Sequence, residues 1–98
     1  MMSRYFTIPC KIERGGFSTE RLFTIAITGE QKTYAGYYEH FLNENGDPLD
    51  LNSPSEGEVL DGYAKCRLIQ KLDDGTFIIN IPSSDSLLVP EGELVEDV

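Results

Sequence analysis

Short stretches in which apolar and polar residues alternate fill most of this chain, and glycine, proline, asparagine and aspartate separate them. A period of two residues is typical of a strand with one face on a core and the other in solvent. Strands are predicted at residues 5–13, 21–28, 33–43, 63–72, 76–82 and 87–89. The pattern predicts a small all-β single domain over residues 1–98, a five- to six-stranded, mostly antiparallel, barrel-like meander.

The length and the charge of the chain restrict its function. A domain of 98 residues buries about two-thirds of its unfolded surface, which leaves little room for an enclosed substrate cavity. Its 17 acidic and 8 basic residues give a formal net charge of −9. Such a chain repels phosphate backbones and anionic lipid headgroups, so nucleic acid is a disfavoured partner and no membrane partner is expected. A surface that binds a protein or peptide is favoured.

Cys10 and Cys66 are the two cysteines of the chain. No apolar segment has the character of a signal peptide or the length of a membrane span, which favours a cytoplasmic protein with free thiols. Both cysteines fall on the apolar phase of their strands, so we expect them in the core. His40 is the single histidine, and neither cysteine lies at a helix N-terminus or exposed turn that would stabilise a thiolate. The chain is therefore not expected to be an enzyme, and no catalytic residue is predicted.

Metal-binding and cofactor-binding patterns are weak. One histidine and two distant cysteines are too few for a zinc site, and no phosphate-binding glycine loop is present. Residues 43–47 have the composition of a calcium loop, but aligning Gly46 with the obligatory glycine places Phe41 at the first ligand position. We expect a solvated acidic loop, with no metal and no cofactor. An irregular calcium site is the alternative, formed by Asp47, Asp50 and Glu56.

The alternation of apolar residues predicts which side chains of the first strand face the core, and it predicts irregular strand geometry at Pro9 and Gly36. The inward row of the first strand is Phe6, Ile8, Cys10 and Ile12. Pro9 is on the outward phase and lacks the N–H that a ladder needs, which predicts an edge strand or a bulge. The inward face of residues 33–43 is ambiguous, and Gly36 indicates a bulge that switches it. The two alternatives are Ala35, Tyr37 and Phe41, or Tyr34, Gly36, Tyr38 and Leu42.

Residues 43–62 form a long connection with six acidic residues and no basic one. A connection of this length is usually functional or mobile. Further along the chain, Asp73-Asp74-Gly75 predicts a tight hairpin turn before the strand at 76–82. Residues 91–98 are predicted to form a frayed acidic tail.

The stretch from Gly62 to Leu94 resembles the small SH3-like and Tudor-like barrels. The likeness consists of a strand, an Asp-Asp-Gly turn, a Thr-Phe-Ile-Ile-Asn-Ile strand, a polar turn and a Leu-Leu-Val-Pro closing strand. The tryptophans and the acidic-aromatic signature of SH3 domains are missing. The resemblance therefore implies an SH3-like or similar barrel and assigns no family.

Tyrosines supply the favoured binding surface. They cluster at residues 34, 37 and 38, next to the acidic loop, and a further one lies at 63. Tyrosine gives contact area at low entropic cost, which is typical of protein and peptide interfaces. The alternative is core filling, because the chain has no tryptophan. The predicted surface consists of Tyr34, Tyr37, Tyr38 and Tyr63.

A second surface follows from the strand that begins at Tyr63. One face of that strand is predicted to carry Tyr63, Lys65, Arg67, Ile69 and Lys71. A tyrosine beside three cations is the kind of platform that binds single-stranded nucleic acid by stacking and charge. The favoured interpretation, given the net charge, is that these cations pair across strands with acidic residues. The acidic residues considered are Glu13, Glu20 and Glu39.

Overall fold

The computed structural model describes residues 5–96, which form one sheet of eight antiparallel strands. The strands are β1 (Tyr5–Arg14), β2 (Glu20–Ile27), β3 (Glu30–Tyr37), β4 (Phe41–Asn43), β5 (Leu60–Lys71), β6 (Thr76–Asn80), β7 (Ser86–Pro90) and β8 (Val95–Glu96). The sheet curls into a half-barrel. The predicted all-β, antiparallel, barrel-like fold is confirmed, and its SH3-like detail stays a prediction.

The strand order is β3-β2-β1-β5-β6-β7, so two three-stranded meanders meet along β1 and β5. β4 extends the pairing of β5, and β8 pairs with β1. Because Val95 lies opposite Thr7 in that pairing, the frayed tail predicted from residue 91 onward is wrong for residues 91–96. Residues 97 and 98 lie outside the described residues.

Pro9 lies in a central strand, so the predicted edge strand is wrong. The Gly15 N–H donates to the Glu20 carbonyl at 3.0 Å. This hydrogen bond continues the register in which β1 pairs with β2. The odd-numbered residues of β1 therefore direct their N–H groups toward β2. The next bond of this series, beyond Lys11, would join the N–H of residue 9 to Ala26. Proline has no N–H, so the ladder ends at Lys11 and Pro9 is accommodated where β2 no longer pairs.

The predicted strand at 33–43 is divided in two. β3 ends at Tyr37, a 3-10 turn covers Tyr38–His40, and β4 begins at Phe41. The register of β2 against β3 is unbroken through Gly36, so the predicted bulge at that glycine is wrong. The 3-10 turn changes the phase instead, and it turns Phe41 into the core, where its ring is fully buried.

The core is one apolar cluster inside the half-barrel. Its members are Phe6, Ile8, Cys10, Ile12, Phe23, Ile25, Phe41, Leu49, Ala64, Cys66, Phe77, Ile79, Ile81 and Val89. The predicted inward row of β1 is confirmed. Both cysteines are free and belong to the core, where Cys10 is 7% exposed and Cys66 is 2% exposed.

Arg21 is a charged residue at the end of this core, with 0% of its surface exposed. Its guanidinium donates hydrogen bonds of 2.8–3.0 Å to four backbone carbonyls. The acceptors are Ser18, Glu20, Leu51 and Ser53. A buried cation is stable only when its donors are satisfied, and here backbone carbonyls satisfy them. Burial lowers the pKa of Arg21 below its usual value, and repulsion from Arg14 lowers it further.

The acidic loop, residues 43–62, is fixed to the half-barrel by two arginines. Arg14 donates to the carbonyls of Pro54 and Leu51, both at 2.9 Å. Arg21 donates to the same Leu51 carbonyl at 2.9 Å. Leu49 is buried with the core, and Pro54 is also buried. The middle of the loop is therefore anchored, while all six of its acidic residues are exposed.

We expect Arg21→Met to destabilise the protein by about 3 kcal/mol, because it removes the hydrogen bonds of a fully buried guanidinium to four backbone carbonyls. Arg14→Met is the matched control, since Arg14 is only half-buried and its loss should cost about 1 kcal/mol. Urea unfolding measures both free energies. Equal losses for the two variants would contradict the role given to Arg21.

We also expect Gly62→Ala to destabilise the protein by about 2 kcal/mol through overpacking. A Cβ at this position would collide with the Leu42 carbonyl oxygen and lie 2.8 Å from Ile12 Cδ1. Gly92→Ala is the control, because a Cβ there meets nothing within 4 Å. Thermal unfolding should show a lower Tm for the first variant and an unchanged Tm for the second. A Gly62→Ala variant as stable as the parent would show that β4 and β5 are not held this closely.

Candidate functional site

The four tyrosines of the predicted binding surface occupy three separate places. Tyr34 is half-buried on the core side of β3, with its ring centroid 5.7 Å from that of Phe23. The rings of Tyr37 and Tyr38 pack 5.1 Å apart at the end of β3. Tyr63 lies on β5, between buried neighbours, and points to the outer side of the sheet. The structure therefore brings Tyr37 and Tyr38 together and leaves the other two apart.

The Tyr37–Tyr38 pair lies over the buried arginine. The Tyr38 ring centroid is 5.6 Å from the Arg21 guanidinium carbon. Tyr37 is 44% exposed, and its ring is 6.2 Å from that of His40. Desolvation raises the pKa of Tyr38 above its usual value, and the Glu39 carboxylate raises it further, so the phenol is protonated at neutral pH. Tyr38 thus covers Arg21, and Tyr37 presents its ring to solvent.

The predicted basic face of β5 is interrupted by a bulge at Ile69. The register against β6 shifts between Leu68 and Gln70, so the side chains beyond the bulge exchange faces. Lys71 lies opposite the buried Phe77, with its ammonium 5.8 Å from the ring centroid. The prediction of one face running as far as Lys71 is therefore wrong.

Tyr63, Lys65 and Arg67 remain together on the outer side of β5. Lys65 lies opposite Thr7 of β1, and Arg67 lies opposite Asn80 of β6. Within residues 5–96, neither cation forms the predicted ion pair with Glu13, Glu20 or Glu39; the ion pair on this side of the sheet joins Lys11 to Asp61. The two cations therefore extend into solvent beside Tyr63.

A groove opens on the outer side of the sheet where β1 and β2 separate. The β1–β2 ladder stops at Lys11, and the β2–β3 hairpin continues beyond it. The depression between them has a volume of about 540 Å³. We call it the Tyr63 groove, and its lining includes Pro9, Lys11, Ala26, Gln31, Glu44 and Tyr63.

The outward side chains of β1, β2 and β3 beside the groove are mostly small and uncharged; we call them the outer face. Its uncharged members are Pro9, Leu22, Thr24, Ala26, Gln31, Thr33 and Ala35, and its charged members are Lys11, Glu13 and Glu20. The hydroxyls of Thr24 and Thr33 are hydrogen-bonded across β2 and β3 at 2.7 Å. Tyr37 continues this phase at one end of β3. The sequence prediction, which relied on tyrosines, missed this face. The signal for it was the presence of Leu22 and Ala26 on the outward phase of β2, which makes both phases of that strand largely apolar.

The charges of the Tyr63 groove lie at its rim. Lys11 Nζ and Asp61 Oδ1 form an ion pair of 2.6 Å between two exposed side chains. This pairing neutralises Lys11 and leaves Glu44 as the remaining charged residue of the lining. The rim is therefore negative, and the acidic loop that follows Glu44 extends the negative potential.

The thiols of Cys10 and Cys66 are buried and protonated, as expected for cysteines that pack in a core. Cys66 Sγ donates to the Ala64 carbonyl at 3.4 Å. Burial raises the pKa of both thiols from 9.0 to about 12, and for Cys10 the neighbouring Cys66 adds to the effect. Both are protonated at neutral pH, whereas a nucleophilic cysteine needs a lowered pKa.

Of the three loop carboxylates considered for calcium, Asp50 forms a hydrogen bond within the loop. Asp50 Oδ1 accepts the Asn52 N–H at 2.9 Å. Residues 5–96 contain no group of three or more histidine, cysteine, aspartate and glutamate side chains placed to hold a metal ion. In the same residues, no helix has the length and apolar character needed to cross a membrane.

Comparison of the chain with protein families, curated proteins and solved structures found no match. The function proposed for the chain therefore rests on its own geometry.

We expect the thiols to react with a disulfide reagent only after unfolding, because in the folded protein they are buried and protonated. The free energy of unfolding should also decrease as the pH rises from about 9 to about 12, since the native thiols keep protons that the unfolded thiols release. A Cys10→Ala, Cys66→Ala double variant should show a weaker pH dependence. Rapid modification of either thiol in the folded state would contradict this assignment.

Proposed function

We propose that this chain is a non-enzymatic interaction domain of the cytoplasm that binds a protein or peptide partner through the outer face and the Tyr63 groove. The observation that carries the proposal is the composition of the outer face. In a chain with a net charge of −9, a sheet surface made largely of alanine, threonine, leucine and proline is inexpensive to desolvate. Charged residues are depleted at the centres of protein interfaces for the same reason.

Tyrosines at two borders of this surface support the proposal. Tyr37 continues the outward phase of β3, and Tyr63 borders the groove on β5. Interface residues that contribute most of the binding energy are often tyrosines surrounded by weakly contributing contacts that exclude water. The smaller side chains Thr24, Thr33 and Ala35 between them would supply such contacts.

The charges around the surface indicate the chemistry of the partner. Glu44 at the groove rim, together with the other exposed carboxylates of the acidic loop, favours a partner with basic residues. Burial of two unbridged thiols supports a reducing compartment such as the cytoplasm.

A single-stranded nucleic acid is the second candidate partner. Its support is the half-buried Tyr63 beside the exposed Lys65 and Arg67 on one side of β5. The net charge of −9 and the position of Lys71 on the opposite side count against it. Binding of a single-stranded oligonucleotide that weakens steeply with salt would favour this candidate over a protein partner.

The proposal is tested by capture of partners from the native lysate with the tagged protein, followed by affinity measurement on the purified partner. Ala26→Arg places a large cation on the exposed part of the outer face and should weaken binding at least about tenfold. Ser55→Arg adds the same charge in the acidic loop and serves as the control. Both variants should unfold at the same urea concentration as the parent.

Two results would count against the outer face. One is a partner that binds the Ala26→Arg variant as tightly as it binds the parent. The other is equal weakening by Ala26→Arg and Ser55→Arg, which would show that the affinity depends on overall charge rather than on this surface.

A further inference from the structure

The sheet has two outermost strands, β3 and β7, and they differ in how they meet solvent. β3 exposes Glu30, Gln31, Lys32 and Thr33 in sequence. Charged and polar residues of this kind protect an edge against further strand pairing. β7 contains no charged residue and exposes Leu88 to 60%. Among residues 5–96, β7 is therefore the edge that suits the addition of a strand.

The hydrogen bonds at the two ends of β7 show which backbone groups are available. The Asp85 carbonyl accepts the Ile81 N–H at 3.0 Å, and the Glu91 N–H donates to the Gly75 carbonyl at 3.3 Å. Pairing with β6 therefore uses the odd-numbered residues, and the even-numbered residues of β7 direct their N–H and carbonyl groups away from the sheet. Leu88 thus presents both a donor and an acceptor to an incoming strand.

The ends of β7 limit how far such pairing extends. Ser86 offers the same two groups as Leu88, because it lies two residues before it. Pro90 presents a carbonyl but no N–H. An added strand would therefore be short and would pair with residues 86–90.

Apolar surface is present on both sides of this edge. Leu88 lies beside Ile78 on the outer side of the sheet. Leu87 points to the other side, where it lines a cavity of about 180 Å³ with Ile27 and Tyr34; Glu30 and Lys32 also line this cavity. Side chains of an added strand alternate between the two sides. An apolar residue on the outer side would pack on Leu88, and its neighbour in sequence, which points to the other side, would lie over the cavity.

The charges at the ends of β7 discriminate between occupants. Asp85 precedes the strand and Glu91 follows it, and both are exposed. Antiparallel pairing of two copies through β7 would place Asp85 of one copy beside Glu91 of the other, which is unfavourable. The net charge of −9 adds repulsion between copies. A segment with basic ends meets complementary charge at both positions.

We propose that the β7 edge binds an extended segment of a partner protein, apolar at alternate positions and basic at both ends, as an added antiparallel strand. Main-chain hydrogen bonds supply affinity in this mode of recognition, and side-chain sites on the two faces supply selectivity. The proposal does not depend on the outer face, because a different strand of the sheet carries it.

Hydrogen exchange of the full chain tests the proposal, with the capped peptide Lys-Val-Thr-Val-Thr-Val-Lys as the probe. In the free protein, the Ser86 and Leu88 amides should exchange fast and the Val89 amide slowly. Saturating peptide should slow exchange at Ser86 and Leu88 at least about tenfold, as expected for amides that enter a ladder. A peptide with glutamate at both ends should bind about tenfold more weakly. Unchanged exchange at Leu88, or equal affinity for the two peptides, would overturn the proposal.

Variants of Leu88 separate the backbone contribution from the side chain. Leu88→Pro removes the outward N–H without removing a bond to β6, and proline is tolerated at such edge positions. Leu88→Thr keeps that N–H and shortens the apolar side chain. Leu88→Pro should weaken peptide binding about tenfold more than Leu88→Thr does.

Further outcomes would also reject the proposal. One is peptide binding that Ala26→Arg abolishes and Leu88→Pro leaves intact, which would assign the peptide to the outer face. Another is protection of Ser86 and Leu88 that rises with protein concentration in the absence of peptide, which would assign the edge to a second copy of the chain. Exchange on the parent protein decides the question even where the Leu88→Pro variant is unfolded.

Discussion

The buried guanidinium of Arg21 joins the turn before β2 to the acidic loop. Its acceptors lie in the turn before β2 and in the acidic loop, and the ring of Tyr38 covers it. Because backbone carbonyls accept the hydrogen bonds of the Arg21 guanidinium, the position of the loop does not depend on ion pairs between Arg21 and the loop's own carboxylates. Those carboxylates remain in solvent, where they set the potential around the candidate site. The buried cation thus anchors the backbone of the acidic loop while the loop carboxylates stay exposed to solvent.

Pro9 has a comparable influence on the sheet. In the β1–β2 register its nitrogen would have to donate to Ala26, and the missing N–H ends the ladder two residues early. β1 keeps its pairing with β5 past the same point, so the two partners of β1 diverge there. The Tyr63 groove is the space that this divergence creates. A residue without a polar side chain therefore determines where the groove lies.

Local alternation was sufficient to predict the fold class, the inward row of β1 and the burial of both cysteines, because a period of two specifies faces without knowledge of partners. The bulge at Ile69 and the turn after Tyr37 depend on pairing with distant strands, and so does the coordination of Arg21 by Leu51 and Ser53. The candidate site was the part least predictable from the sequence, because its geometry depends on such long-range pairing. Residue type correctly selected Tyr63 as an outward side chain, but the separation of Tyr34 from Tyr37 follows from the register of β2 against β3.

The distribution of charge reconciles the acidity of this small sheet with the binding proposed for it. Carboxylates are concentrated in the acidic loop and at strand ends such as Asp85 and Glu91, whereas the outer face and the β7 edge carry few charges. Electrostatic repulsion between copies therefore acts at long range, while desolvation of the outer face and the β7 edge costs little free energy. In the proposed function, a partner whose basic residues match these borders would gain from the same charges that repel a second copy of the chain. Net acidity would then disfavour self-association and favour a basic partner by the same mechanism.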